Sequence, residues 1–311
     1  MRNTIRTIAA GAVSAVLLLT GCMTTGSDNL PTMGTGRVSI DESVQPVFQS
    51  EIYTYESSYP QTHFEVAYMP EGDVIASLLK DSMLETAVIC RDLTPEEKKY
   101  MEGRNRTPTT IKIMDDAIAV VVNPQNTNTK LSTEQIKRLL LGQDTLWSQV
   151  SDTSKAGKIT VVFDNNRSGN SRYLSEKLLN GKPFSPNCYA VKSNKAVIEY
   201  VSEHAGAIGF VAVNWISDKD DSTCRALRGK VNVVSLRSSD TAQFVPPWQT
   251  FIGDSTYPFR REVWIVKPGV YTSLGTGFVS FVSTERGQLI ILKSGLVPAR
   301  QPERKIEIKA D

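Results

Sequence analysis

The run Ser168-Gly169-Asn170, set just ahead of a helical pattern, is built to hold an anion rather than to transform it. A helix start exposes amides with no internal partner and carries the positive end of the peptide dipoles, so a tetrahedral oxyanion can sit there without a full countercharge. Gly169 lets backbone approach closely, and Ser168 and Asn170 can donate from side chain or amide. Ser43, at the head of another helical pattern, could do the same from the opposite side of a cleft, with Gly72 in the turn Pro70-Glu71-Gly72-Asp73 beside it. Arg91 adds a guanidinium able to hold two oxygens in parallel, and Asp92 beside it adds an acceptor. The same residues also suit blander roles: a plain helix cap for Ser168-Gly169-Asn170 and a surface salt bridge for Arg91.

Covalent and metal chemistry find no comparable pattern. His63 and His204 lie far apart with no serine or cysteine nucleophile on a tight elbow, so a hydrolytic triad is not expected. Cys90, Cys188 and Cys224 are too widely spaced for a zinc site, and Cys90 reads as a buried thiol. Asp115-Asp116 reads as a solvated turn or hinge rather than an acid/base pair, and Trp147 as core packing. With 35 basic and 33 acidic residues the formal charge is +2, which gives no footprint for nucleic acid. The chain is therefore read as a non-enzyme, with no metal and no cofactor.

The elements that must position these residues alternate. A strand at 37–40 precedes a helix whose apolar face carries Val44, Val47, Phe48, Ile52 and Tyr55. A second strand, Thr62 to Met69, is followed by the Pro70–Asp73 turn and helical spacing at Val74, Ile75, Leu78 and Leu79. A third, Ala87 to Cys90, leads into Thr94-Pro95-Glu96-Glu97, a helix start with proline inside the cap. A fresh series begins at the buried strand Ile118 to Val122. It continues with a helix over 132–142, a strand over 159–163, the loop 164–169, a helix over 170–179 and a strand over 207–211. The last third holds a strand over 262–266, helices over 277–283 and 285–294, and an edge strand over 305–309. Strands alternating with helices predict mainly parallel sheets covered on both faces, with ligands at the carboxyl ends of the strands.

The first residues carry Arg2 and Arg6 and then an uncharged run to Thr20, too short for a comfortable membrane span. That run ends in Leu19-Thr20-Gly21-Cys22, which resembles the lipobox of bacterial lipoproteins and implies a signal peptide over 1–21 with Cys22 acylated. Residues 22–36 are poor in large apolar side chains and read as a lipid-anchored tether. With Cys22 assigned to lipid, complete internal pairing of the remaining cysteines is ruled out, and Cys188 with Cys224 is left open as a disulfide. About 275 residues remain, more than one small core usually serves.

The order of these segments resembles the phosphate-binding proteins of ABC transporters. Carrying the resemblance are Tyr257-Pro258-Phe259-Arg260-Arg261 with Val263-Trp264-Ile265-Val266, Gly287-Gln288, and Lys293-Ser294-Gly295-Leu296-Val297-Pro298. Trp147-Ser148, Gly206-Ala207-Ile208-Gly209-Phe210 and Arg167-Ser168-Gly169-Asn170-Ser171-Arg172 add to it. The resemblance implies a type II-like, two-lobed periplasmic-binding-protein α/β fold, each lobe a mainly parallel sheet flanked by helices and joined by a two-strand hinge. Lobe one would comprise 37–116 plus 257–311, and lobe two 117–256. It further implies capture of inorganic phosphate or a related oxyanion, delivery to an ABC permease, a monomer, and a location outside the cytoplasm on a bacterial membrane. Asp92 could then accept the proton of a protonated phosphate and disfavour sulfate. Three positions depart from the family pattern. Asp41-Glu42 stand where glycine and serine are usual, Asp164 where an anion-binding arginine often stands, and Cys90 in place of a frequent serine. Arg167 or Arg172 would have to restore the charge. These departures motivate a second reading, a surface or signalling lipoprotein on the same scaffold that works through a protein partner.

Overall fold

A computed structural model describes residues 30–152 and 154–301. The signal peptide, Cys22, most of the tether and the closing strand over 305–309 lie outside the described residues.

The chain opens with β1 (Gly34–Asp41), α1 (Gln45–Ser58), β2 (Thr62–Met69), α2 (Glu71–Lys80), β3 (Leu84–Ile89) and α3 (Pro95–Glu102). Then come the long β4 (Thr109–Val122), β5 (Lys130–Ser132), α4 (Thr133–Leu140), α5 (Trp147–Val150), β6 (Thr160–Phe163) and α6 (Gly169–Leu179). They are followed by β7 (Cys188–Ala190), α7 (Asn194–Glu203), β8 (Ala207–Ala212), α8 (Asn214–Ser217), α9 (Ser222–Arg228), β9 (Asn232–Val233), β10 (Ser235–Arg237) and α10 (Gln249–Gly253). The last elements are β11 (Arg260–Lys267), α11 (Leu274–Ser283), α12 (Glu285–Lys293) and β12 (Val297–Pro298).

The main sheet runs in the order β2-β1-β3-β11-β4-β8-β6-β7. Consecutive outer strands are parallel: β1 with β2 and β3, and β6 with β7 and β8. Antiparallel pairing is concentrated in the middle, where β11 joins β3 to β4 and β4 joins β8. Strand β4 is shared: its first half pairs with β11, and Ile118–Val122 pairs with β8. Both faces of the first half of the sheet are covered. Tyr55 of α1 and Phe278 and Phe281 of α11 pack on one side with Phe64, and Val74, Leu78, Leu84, Leu93 and Met101 form a separate apolar cluster on α2, β3 and α3. Trp147 is fully buried and its indole N–H donates to the Gly206 carbonyl at 3.0 Å, as core packing requires.

Two local expectations are corrected. Pro70–Asp73 is not a free turn: Pro70 caps α2 and Gly72 lies in its first turn. Asp115-Asp116 is not a solvated turn, because both residues are buried within β4, where the β11 register sets Arg261 opposite Asp116. Arg261 pairs with Asp116 at 2.8 Å with both charges buried, while Asp115 pairs with the partly exposed Arg260 at 2.8 Å and Lys112 at 2.9 Å. Cys90, Cys188 and Cys224 are all free thiols. Cys188 points to the Leu140 carbonyl and Cys224 to that of Asn214, which leaves no disulfide among the described residues. No helix among the described residues is long and apolar enough to cross a membrane.

Candidate functional site

The carboxyl ends of β1, β2 and β3 bring Asp41, Glu71 and Cys90 to one spot. The start of α6 meets them from the other half of the sheet: a methyl group placed on Gly169 would lie 2.7 Å from Asp41 Oδ2 and 3.2 Å from Glu71 Oε1. The strand ends and the helix start therefore face one another, as they must if a small guest is to touch both.

Ser43 sits on the β1 side of this spot. Its amide donates to Asp41 Oδ1 at 3.0 Å, its hydroxyl accepts from Arg261 Nη2 at 2.9 Å, and the same oxygen lies 3.5 Å from Cys90 Sγ. Ser168 caps α6 by accepting from the Ser171 amide at 3.1 Å, and its hydroxyl donates to Asp164 Oδ1 at 2.6 Å. Asn170 Nδ2 donates to Asp164 Oδ2 at 2.9 Å and to Asn194 Oδ1 at 3.0 Å. Asn194 in turn donates from Nδ2 to Glu42 Oε2 at 2.6 Å. Ser43, Ser168, Gly169 and Asn170 are thus brought together around Asp41 and Asp164.

Acids outnumber arginines here: Asp41, Glu42, Glu71, Asp116 and Asp164 face Arg172 and Arg261. Arg261 is 3 % exposed and donates from Nε and Nη2 to Asp116. Arg172 bridges from α6 to Glu71 at 2.5 Å and to the Cys90 carbonyl at 3.3 Å. Burial, reinforced by the Glu71 charge, pushes Asp41 up to about 6. Burial likewise raises Asp164 to about 6 and Glu42 to about 7. The Cys90 thiol is pushed well above its usual value by burial and stays protonated. Side-chain oxygens Asp41 Oδ2, Asp116 Oδ1 and Asn170 Oδ1 have no hydrogen-bond partner, nor does Arg261 Nη1. Asp41, Glu71 and Cys90 have ligand atoms within 4.8 Å of one another, and of the three side chains only that of Glu71 is held by an arginine, Arg172.

The remaining expected site residues are placed differently. Arg91 gives both guanidinium nitrogens to Glu97 at 2.8 and 2.7 Å, which is the salt-bridge role. It still lines an outer depression of 340 Å³ together with Gly72, Arg167 and Arg172. Asp92 turns away from the spot: Lys98 Nζ takes its Oδ2 at 2.8 Å and the Leu93 amide its Oδ1 at 2.7 Å, because α3 carries its lysine one turn along. Gly72 reaches across the cleft through its backbone, donating to the Arg167 carbonyl at 3.0 Å and accepting from Arg167 Nη2 at 3.1 Å. Deeper in, a cavity of 70 Å³ is bounded by Asp41, Glu42, Met69, Asp164, Ser168 and Lys192. Sequence reasoning missed Arg261, Glu71 and Asn194. The doublet Arg260-Arg261 facing the doublet Asp115-Asp116 is the one signal that could have found the first of them.

Comparison with known proteins agrees with this architecture. Two curated relatives are phosphate-binding proteins PstS: that of Borreliella burgdorferi is 24 % identical over 82 % of this chain and 86 % of its own, and that of Pseudomonas aeruginosa is 24 % identical over 70 % of this chain and 67 % of its own. Among solved structures, a substrate-binding protein from Clostridium perfringens with bound phosphate aligns with a TM-score of 0.72 at 22 % identity, over 86 % of this chain and all of that one. An ABC-type phosphate transport receptor from Vibrio cholerae aligns with a TM-score of 0.63 at 24 % identity, over 85 % of this chain. These structures share the two-lobed α/β fold seen here. Residues 25–286 match the PBP superfamily domain, and the chain belongs to that family of periplasmic-type binding proteins.

Proposed function

We propose that the protein is an extracytoplasmic solute-binding protein that captures phosphate or a related oxyanion between its lobes and presents it to an ABC permease, without covalent chemistry. The carrying observation is the start of α6 set against the carboxyl ends of β1, β2 and β3, with Arg172 and Arg261 on either side. Exposed helix amides in fixed geometry bind an oxyanion at little reorganisation cost. Ser43, Ser168, Gly169 and Asn170 are the contacts this reading assigns, with Gly72 and Arg91 at the mouth. The acceptor role expected of Asp92 passes to Asp164, which faces the spot. Relatives of the same family described as phosphate-binding support the reading.

In this reading lobe one comprises 37–116 plus 257–311, lobe two 117–256, and β4 with the return into β11 forms the hinge. A lipid on Cys22 would hold a monomer at the membrane surface. Isothermal titration with phosphate, arsenate and sulfate tests the function: heat with phosphate and arsenate is expected, and no heat with any of the three rejects it.

A further inference from the structure

The chain's own carboxylates crowd the first residue of α6, where an oxyanion would have to approach. Asp41 Oδ1 is anchored by the Ser43 amide, which leaves Oδ2 aimed at Gly169 without a hydrogen-bond partner, although Asp41 is only 1 % exposed. Glu71 Oε1 lies against the same glycine, accepting from the Cys90 amide at 2.8 Å. Around them stand the other charged and titratable groups: Cys90 after β3, Asp164 after β6, Arg172 on α6 and Arg261 on β11 with Asp116 behind it. Glu42 lies between Asp41 and Asp164, and Lys192 is at the rim.

We propose that Asp41, with Glu71 beside it, is a built-in competitor for the solute: an oxyanion gains the α6 amides only as Asp41 gives up its negative charge, so capture draws a proton into the cleft. This rests on the oxyanion reading of the site. Like charges in contact inside a buried site cannot all remain ionised, and an added anion makes the least well compensated carboxylate the one to protonate. Asp41 is that carboxylate at the α6 start, because Arg172 holds Glu71, Ser168 and Asn170 hold Asp164, and the Asn194 amide and side chain hold Glu42, whereas Asp41 Oδ2 has no partner. A proton on Asp41 Oδ2 removes the repulsion and turns the oxygen into a donor towards the guest. Burial already brings Asp41 to about 6, within reach of neutral solution. Asp41 thereby sets both the affinity and its dependence on pH.

The test is calorimetric titration of phosphate into the wild-type chain and into Asp41→Asn at about pH 5.5 and about pH 7.5, in buffers of different ionisation enthalpy so that protons are counted. The second ionisation of phosphate is common to both proteins and cancels in the difference. Asn keeps an Oδ1 for the Ser43 amide, so the loop retains its anchor. The expected result is about one proton more taken up by the wild type than by the variant near neutrality, and wild-type affinity falling up to about tenfold more per pH unit. Asp41→Asn should then bind more tightly than wild type at the higher pH. Equal affinities, slopes and proton counts in the two proteins would overturn the competitor while leaving the oxyanion reading standing. Should Asp41→Asn fail to fold, proton counting on the wild type decides: uptake no greater than the titration of phosphate itself requires would overturn the proposal. Absence of binding by either folded protein at both pH values would remove the oxyanion reading and the competitor with it.

Discussion

Two helix starts in this protein solve the problem of exposed amides in opposite ways. At α3 the partners are local: Thr94 accepts from the Glu97 amide at 3.2 Å, Glu97 accepts from the Thr94 amide at 2.8 Å, and the same carboxylate holds Arg91. At α6 the cap Ser168 is local, but the acids that face the first turn arrive from the ends of distant strands, Asp41 from β1 and Glu71 beyond β2. The first arrangement stays closed for as long as one turn of helix survives. The second depends on how the two halves of the sheet meet, and this dependence on distant strands is what the proposed site has and a structural cap lacks. Charge state follows the same division. Ion pairing and hydrogen bonds to Lys98 and Arg91 hold Asp92 and Glu97 below the usual carboxylate range against the opposing pull of burial, whereas burial holds Asp41 and Asp164 above it.

The largest predicted effect lies beneath α6. Arg261→Ala strands Asp116 in an apolar setting and should cost about 3–5 kcal/mol in urea-unfolding experiments. A loss under about 1 kcal/mol would mean that the pair does not anchor the site to the crossing strands. Next comes Asp41→Asn, expected to stabilise the ligand-free protein by about 1–3 kcal/mol at pH 8. The sign follows from the raised folded-state pKa. The group's favourable contribution is fully present below its unfolded value near 4 and is lost as pH rises through about 6, so the gain from removing the charge should vanish at pH 4. Thr94→Ala removes one cap and should cost about 1 kcal/mol with no change in oxyanion affinity, as thermal melts and titration would report. Smallest is Glu97→Gln, which keeps the capping geometry but loses the charge on Arg91. It should destabilise by about 0.5–1 kcal/mol, because the pair is near the surface and screened. Here the folded pKa is depressed, so the contribution is present above the unfolded value and lost in acid. Carboxylate-to-amide changes of opposite sign at the two helix starts would sharpen the contrast, and changes of equal sign would break it.

What was legible in the sequence was local. Strand Thr62–Met69, the Thr94 capping box and the apolar stripe of α1 follow from alternation, cap chemistry and helical spacing, and the structure shows each. The Ser168 cap was legible for the same reason. The rest depends on register between strands far apart in the chain. Arg261 meets Asp116 only because β11 lies antiparallel to β4 with those residues opposite one another, and no local spacing announces that. Arg91 and Asp92 follow a buried strand, as site residues would, but the acids and lysine of α3 lie one turn away and take both. Glu71 was hidden by its setting, since proline and glycine on either side suggest a turn when Pro70 in fact caps a helix.

One oxyanion shared by the start of α6 and the ends of β1 and β3 should be visible in crystals grown with phosphate near pH 5. Tetrahedral density is expected in hydrogen-bond reach of the Gly169 and Asn170 amides and of Ser43, with the Asp41 carboxyl group displaced or donating to the guest. Phosphate bound elsewhere, with Asp41 still against Gly169, would contradict it.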